Sequence, residues 1–473
     1  MSSAGLSYSD AALLIVPALV GIFFALTIAA APPPAPPRGC RRVGIPSGKP
    51  SNLADEQEYD VRGLRRGTAQ GSINNKNNKK IRIKALFSYP IKSCAPIEWD
   101  AANFDVTGLP YDRQFCFAEY VDRPLQDDGA DSSPSDKTTT AAAAAAAAAA
   151  TPRGRWDART LRDGKFSRMT LIRPEIWVPD PSSLTYSPDL PEVRSNGVMV
   201  VHFPRQTRNV FIKLAMALRV VPDEESFAVP LDPPADENRY PRLPVRIFKQ
   251  VTAGVSYATH VPPSLARFLG TTRPLSLFRS LPTDRRYVRG NSVGLEAELG
   301  FDPTIAYSDE YPLQMQNLGS VRAIAEKVRG AIPRFTVRRF RPNVVLEGCA
   351  AFQEDDWKKI RLVAERPTAG SRGADGKEDH DRKDDEAWGG GMLVHVCCRT
   401  VRCRLPNVDP DTGIRHPVEP DKTLRATRNI DTGAPGAGCL GMMLVPASTN
   451  FTLHVGDTVE VLETGKHHYT KGH

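Results

Sequence analysis

Apolar residues in this chain fall mostly in short alternating runs, and that pattern rules out most architectures before any motif is read. Ile81–Phe87, Gln114–Val121, Gly197–Phe203, Leu243–Phe248, Asn343–Glu347, Met392–Arg402 and Thr458–Leu462 each read as strands. Only Pro263–Leu269 and Leu318–Ala331 read as helices between them. In the second, Leu318, Val321, Ile324, Ala325 and Val328 share a face, with Arg322, Glu326 and Lys327 opposite. Strands do not alternate with helices as a parallel doubly wound sheet requires, and no glycine-rich dinucleotide loop follows a strand. The expected class is α+β and β-dominated. At 473 residues the chain is too long for one ordinary domain.

Ala11–Ala31 is the one long apolar run, with Thr27 its only polar side chain. A helix of that length would reach about 31 Å at ~1.5 Å per residue, enough for a hydrocarbon core of roughly 30 Å. It is longer than a signal-peptide core and no basic residue precedes it, so we read an uncleaved transmembrane helix after a short tail, residues 1–10. Arg38, Arg41, Arg42, Arg62, Arg65 and Arg66 all lie downstream, which places the body on the cytosolic side. A Pro-rich stalk, Pro32–Pro37, and polar residues to Lys80 read as a flexible tether. Two further segments, Asp127–Thr151 with its ten alanines and the Gly-rich, charged Thr368–Gly391, read as disordered insertions.

The net charge of +8 is dispersed over the chain and carries no nucleic-acid signature. Eight cysteines include no Cys-x-x-Cys pair, which favours a reducing compartment and buried thiols. Cys403 stands apart. It ends a strand, follows Arg402, and precedes the turn Asp409-Pro410-Asp411-Thr412-Gly413, so it suits a soft metal or a nucleophile with Asp409, Asp411 and Thr412 as a site wall. A buried structural thiol is the bland alternative. Lys92 and Ser93, in the turn Tyr89–Cys94, suit an anion such as a phosphate; so does Arg113. Arg341 and Asn343 flank Pro342 at a strand start, where a guanidinium and an amide can reach a phosphate or a pterin-like ring. The plain alternatives are a solvated lysine in a surface turn, an Asp112–Arg113 surface pair and a strand-edge arginine.

Taken in order, Tyr89-Pro90-Ile91-Lys92-Ser93-Cys94, Asp112-Arg113, Phe340-Arg341-Pro342-Asn343, and Arg402-Cys403 followed by Val408–Gly413 resemble the MOSC family, and within it the amidoxime-reducing components, in a fungal-type form. Leu424, Arg428, Asp431, Cys439-Leu440-Gly441 and Val455-Gly456-Asp457 fit as well. The resemblance implies an N-terminal MOSC β-barrel domain over 81–290 and a β-barrel-like MOSC domain over 291–465. It implies molybdenum cofactor (Mo-molybdopterin), with Cys403 as the molybdenum ligand and Lys92, Ser93, Arg113, Asn317, Arg341, Asn343 and Arg402 holding the pterin and its phosphate. Met442-Met443 departs from better-known members beside the cofactor. The implied activity is reduction of N-hydroxylated compounds (amidoximes, N-hydroxyguanidines, hydroxylamines), with electrons from cytochrome b5 and its NADH reductase. The implied location is the mitochondrial outer membrane, with endoplasmic reticulum the other candidate. A cofactor carrier without turnover is the rival reading. No flavin or nicotinamide fingerprint is present, so electrons must come from outside the chain.

Overall fold

The computed structural model describes residues 16–17, 19–21, 35–59, 80–104, 107–122, 154–292, 295–364, 391–448 and 451–471. Asp127–Thr151, all but the last residue of Thr368–Gly391, and Ala11–Ala31 apart from 16–17 and 19–21 lie outside the described residues. Among those described, no helix is long and apolar enough to cross a membrane.

The chain divides into two compact units. The smaller takes residues up to Arg42, Ile172–Pro234 and Thr259–Thr272. It is a four-stranded antiparallel sheet in the order Cys40–Arg42, Arg173–Pro179, Val198–Pro204, Glu224–Pro230. Helices Val210–Ala217 and Pro263–Leu269 accompany it, and the second contributes Phe268 against Phe203, ring centroids 5.9 Å apart.

The larger unit holds a barrel and a large sheet, with two small two-stranded pairings beside them, Arg286–Tyr287 with Thr304–Ile305 and Ala101–Asn103 with Thr452–His454. Phe115–Val121, Arg155–Ala158, Arg242–Ile247, Gln250–Ser256 and Leu275–Ser280 close into a barrel, the seam being a parallel pairing of Arg242–Ile247 with Arg155–Ala158. Cys116, Ala118, Val245, Ile247, Phe278 and Tyr307 fill it. The large sheet has eight strands, in the order Val344–Glu347, Leu313–Asn317, Gly438–Pro446, Gly391–Arg402, Trp357–Val363, Thr458–Thr464, Arg82–Ser88, Ile97–Trp99. Val344–Glu347 also pairs with Arg82–Ser88, so this sheet curls back on itself. Arg82–Ser88 is thereby stitched between strands more than two hundred residues later.

Helix Leu318–Val328 plugs the large sheet. The face expected from the sequence, Leu318, Val321, Ile324 and Val328, is buried against Phe87, Tyr89, Phe335, Phe340, Leu424 and Leu440. Leucine and alanine favour the helix intrinsically, but packing of this stripe is what fixes it. Gly441, in the middle of Gly438–Pro446, has φ +79°, and a β-carbon there would lie 2.4–2.5 Å from the side-chain nitrogens of Gln314 and Gln316. Only glycine lets that strand approach its neighbour so closely.

Residues 40–59 depart from the tether expected of them. Cys40–Arg42 adds an edge strand to the smaller unit's sheet, Ile45 donates its amide to the Glu98 carbonyl at 2.9 Å, and Leu53 is 4% exposed within the larger unit's core. Local polarity suggested a linker because too few apolar residues show a period; a single buried leucine and a strand-edge pairing suffice to order it. Leu53→Ala should therefore lower stability by about 2–5 kcal/mol, the range for deleting a buried leucine side chain. Urea unfolding would show it as a reduced midpoint, whereas a free tether would leave the midpoint unmoved.

Candidate functional site

Three polypeptide turns converge on one cleft of about 900 Å³ in the larger unit, counting its open mouth. The first follows strand Arg82–Ser88. Lys92 donates its amide to the Phe115 carbonyl at 2.7 Å, and Ser93 sits at φ +71° with its hydroxyl accepting from the Leu161 amide at 3.1 Å. Lys92 is 5% exposed; its Nζ donates to the Tyr307 carbonyl at 2.7 Å and pairs with the Asp309 carboxylate. Burial lowers the Lys92 pKa to about 8 even though Asp309 pulls the other way. Burial would raise the Asp309 carboxyl, but the cations Lys92 and Arg162 outweigh it and hold it well below the usual carboxylate range.

The second turn carries Arg113 at φ +49°. Its guanidinium donates to Asn343 Oδ1 at 2.9 Å and to the Arg341 carbonyl at 3.1 Å, and pairs with Asp112. Arg341, at φ +54°, caps the short helix Val337–Phe340. Both guanidiniums stack on Tyr89, 4.6 Å and 4.2 Å from its ring centroid. Three cleft residues other than glycine thus adopt a left-handed backbone, a conformation that sterics disfavour and that tends to gather at functional sites.

The third turn ends strand Gly391–Arg402. Arg402 donates from Nε to the Leu440 carbonyl at 2.8 Å and from Nη1 to the Phe340 carbonyl at 3.1 Å. Cys403 follows, half-buried, with Arg162, Arg402 and Arg415 around its sulfur. Burial lowers both Arg341 and Arg402 to about 10. Arg341 Nη2, Arg402 Nη2, Gln314 Oε1 and Thr400 Oγ1 are out of solvent with no hydrogen-bond partner among the described residues. A buried donor left unpaired costs roughly 1–3 kcal/mol, more when charged, so two guanidinium nitrogens in this state mark a site that wants an anion.

Lys92, Ser93, Arg113, Arg341, Asn343, Arg402 and Cys403 therefore line one cleft. Asn343 does so with its amide already spent: it donates to the Phe87 carbonyl at 3.0 Å and accepts from Arg113 and the Gln314 amide. Its work is to position Arg113. Asn317 is elsewhere. It caps helix Leu318–Val328 by accepting from Gly319, and its amide donates to Ala350 and to the buried Glu354, so nothing is left for a ligand. The expected site wall also lies off the cleft. Asp409 folds its carboxylate onto the Asp411 and Thr412 amides and pairs with Arg339, and Asp411 pairs bidentately with Arg338 at 2.7–2.8 Å. That loop braces the short helix that presents Arg341. Met443 lines the cleft and Met442 is buried behind it.

Arg162, Asp309, Glu310, Thr160 and Gln314 also line the cleft and were not singled out from the sequence. A signal for Arg162 existed in the basic stretch Arg155, Arg159, Arg162, Lys165 that resumes after the alanine run.

Two family models match the chain: MOSC domain over residues 302–460, and MOSC N-terminal beta barrel domain over residues 80–123. The chain carries a MOSC domain and a MOSC N-terminal β-barrel domain. Lys92, Ser93 and Arg113 fall in the N-terminal match; Arg341, Asn343, Arg402 and Cys403 fall in the MOSC match. The chain is similar to mitochondrial amidoxime-reducing component 1 of Danio rerio, 27% identical over 214 residues, covering 45% of this chain and 55% of the relative. It is similar to the Xenopus laevis component 1, 27% identical over 212 residues (45% and 51%), and to the Mus musculus component 1, 29% identical over 127 residues (27% and 28%). The matching stretch thus spans about half the length of the first two of these relatives.

The ammonium of Lys92 is present below pH 8 and lost above it, so anion binding to this MOSC cleft should weaken as pH rises through about 8. Sulfate stays a dianion across that range and serves as the probe. Calorimetry in buffers of different ionisation enthalpy should show proton uptake on binding near pH 8. Lys92→Met should abolish both the uptake and the alkaline loss of affinity.

Proposed function

We propose that this chain is a molybdenum-cofactor-dependent reductase of N-hydroxylated compounds. One observation carries the reading: a half-buried thiol, Cys403, opens onto the same cleft as two guanidinium nitrogens, Arg341 Nη2 and Arg402 Nη2, that are buried without a partner. The donor set fits the cofactor. Among the described residues no three His, Cys, Asp or Glu side chains gather to hold a metal, so a metal at Cys403 has to arrive with ligands of its own. A pterin dithiolene bearing a phosphate does that, and it needs one soft protein ligand and a cationic cradle.

When bound, the cofactor supplies a two-electron centre that can take the oxygen from an N–O bond. The chain's own residues do the rest. Cys403 Sγ would hold the metal, with Arg162 and Arg402 beside it. Lys92 Nζ, Arg341 and Arg402 neutralise the anionic end, and Arg113, held by Asn343 and Asp112, fixes the direction of approach. The Tyr89 ring under two guanidiniums keeps water from their inner faces. Lys92 Nζ also holds a proton it can surrender at mildly alkaline pH.

Electrons are supplied, on this reading, by cytochrome b5 and its NADH reductase on the same membrane, with Ala11–Ala31 as the anchor and the body in the cytosol, at the mitochondrial surface or the endoplasmic reticulum. Confinement to one surface raises the effective concentration of donor and acceptor. The substrates are small N-hydroxylated molecules such as amidoximes, N-hydroxyguanidines and hydroxylamines.

Molybdenum and pterin measured on the purified full chain should be near stoichiometric, and Cys403→Ser should lose the metal. Arg341→Gln should lower pterin content as well. With a reduced viologen as donor, the wild type should convert benzamidoxime to benzamidine. Equal molybdenum in wild type and Cys403→Ser would refute the assignment, and full cofactor without turnover would favour a carrier.

A further inference from the structure

The smaller unit presents an apolar surface that the cofactor cleft does not use. Helix Val210–Ala217 begins at Asn209, whose side chain accepts from the Phe211 and Ile212 amides. Ala215 is buried, and Ile212 and Met216 are partly buried on the same side. The opposite side is also apolar. Val210, Leu214 and Leu218 follow one another at four-residue spacing and are 73%, 53% and 60% exposed; Phe211 and Val220 beside them are 45% and 51% exposed. A short helix with apolar residues all round belongs in an apolar surrounding on both sides, and this one has it on one side only.

We propose that this helix lies in the surface of an anionic membrane, with the Val210–Leu214–Leu218 stripe among the acyl chains. Two observations select lipid over a protein partner. Residues 205–222 contain Arg205, Arg208, Lys213 and Arg219 and no acidic residue, so cations bracket the stripe where phosphate headgroups would lie. The same unit includes Cys40–Arg42, and only residues 32–39 separate that strand from the apolar run Ala11–Ala31. Eight residues span at most about 29 Å, so insertion of that run holds this unit's sheet at the membrane surface. The helix then acts as a second contact that limits how the unit can turn. The inference rests on the anchor proposed above, not on the cofactor chemistry.

The test uses the full chain reconstituted in phosphatidylcholine vesicles with and without phosphatidylserine, with Leu214→Trp as reporter and Tyr287→Trp, at an exposed position of the larger unit, as control. The added Leu214→Trp emission should shift to the blue and be quenched by brominated acyl chains, more so with phosphatidylserine; the control should do neither. Charge reversal at Arg208, Lys213 and Arg219 should remove the phosphatidylserine dependence, and Val210→Glu with Leu218→Glu should abolish the quenching while molybdenum content stays at the parent level. A reporter that remains open to aqueous iodide on chains that float with the vesicles overturns the proposal. So does shielding that appears without lipid and grows with protein concentration, which marks a second copy, or that needs an added cytochrome, which marks a protein partner.

Discussion

Positive charge forced out of water is the condition around which the larger unit is arranged. Arg341, Arg402 and Lys92 are all lowered by burial; backbone carbonyls hold Arg402, a carbonyl and a carboxylate hold Lys92, and Arg341 rests on the Tyr89 ring. Such an arrangement is unfavourable in isolation: removing a cation from water costs several kcal/mol unless an opposite charge compensates. Asp112 and Asp309 compensate in part. The unpaired nitrogens of Arg341 and Arg402 show how far that compensation falls short. The fold can hold them because its large sheet closes on itself through Val344–Glu347 and Arg82–Ser88, fixing the turns on either side.

Backbone strain and side-chain charge coincide in these turns. Ser93, Arg113 and Arg341 each take a left-handed conformation that glycine would adopt at less cost, and each keeps a polar side chain there. The surrounding bonds over-determine them: Arg113 donates its amide to the Tyr89 carbonyl at 2.7 Å while Tyr89 donates its own to Asp112 at 2.8 Å. A reciprocal lock of this kind pre-organises the cationic side chains, so little ordering remains when an anion binds.

Much of the fold was legible in the sequence, though unevenly. Strands at 82–88, 115–121, 198–204 and 391–402 appear close to where the short apolar runs put them, although most of their residues are buried consecutively rather than in alternation. Their partners did not, since pairing between Arg82–Ser88 and Val344–Glu347 leaves no local trace. Helix Val210–Ala217 escaped notice because apolar residues on both faces erase the amphipathic signal. Asn317 was read as a ligand-binding amide, yet an asparagine directly before a helical stripe is also a capping signal, and the cap is what the structure uses. Arg162 and Asp309, 147 residues apart, meet at 3.3 Å only once both sheets exist.

The Asp309 carboxylate shapes what the cleft can accept. It sits between Lys92 and Arg162, with Arg162 in turn next to Cys403. An incoming phosphate competes with Asp309 for Lys92, but it meets no such rival at Arg341 Nη2 or Arg402 Nη2. The anionic end of a ligand is therefore drawn first toward the two arginines, and Asp309 keeps its pairing with Lys92 and Arg162. Arg402 itself stands beside Cys403, and Arg162 links that sulfur to the Asp309 carboxylate, so cation, thiol and carboxylate share one part of the cleft. An anion that settles on the partnerless Arg341 and Arg402 nitrogens leaves the Lys92–Asp309–Arg162 network intact, and so relieves the buried charge at the least cost to the pairings already made.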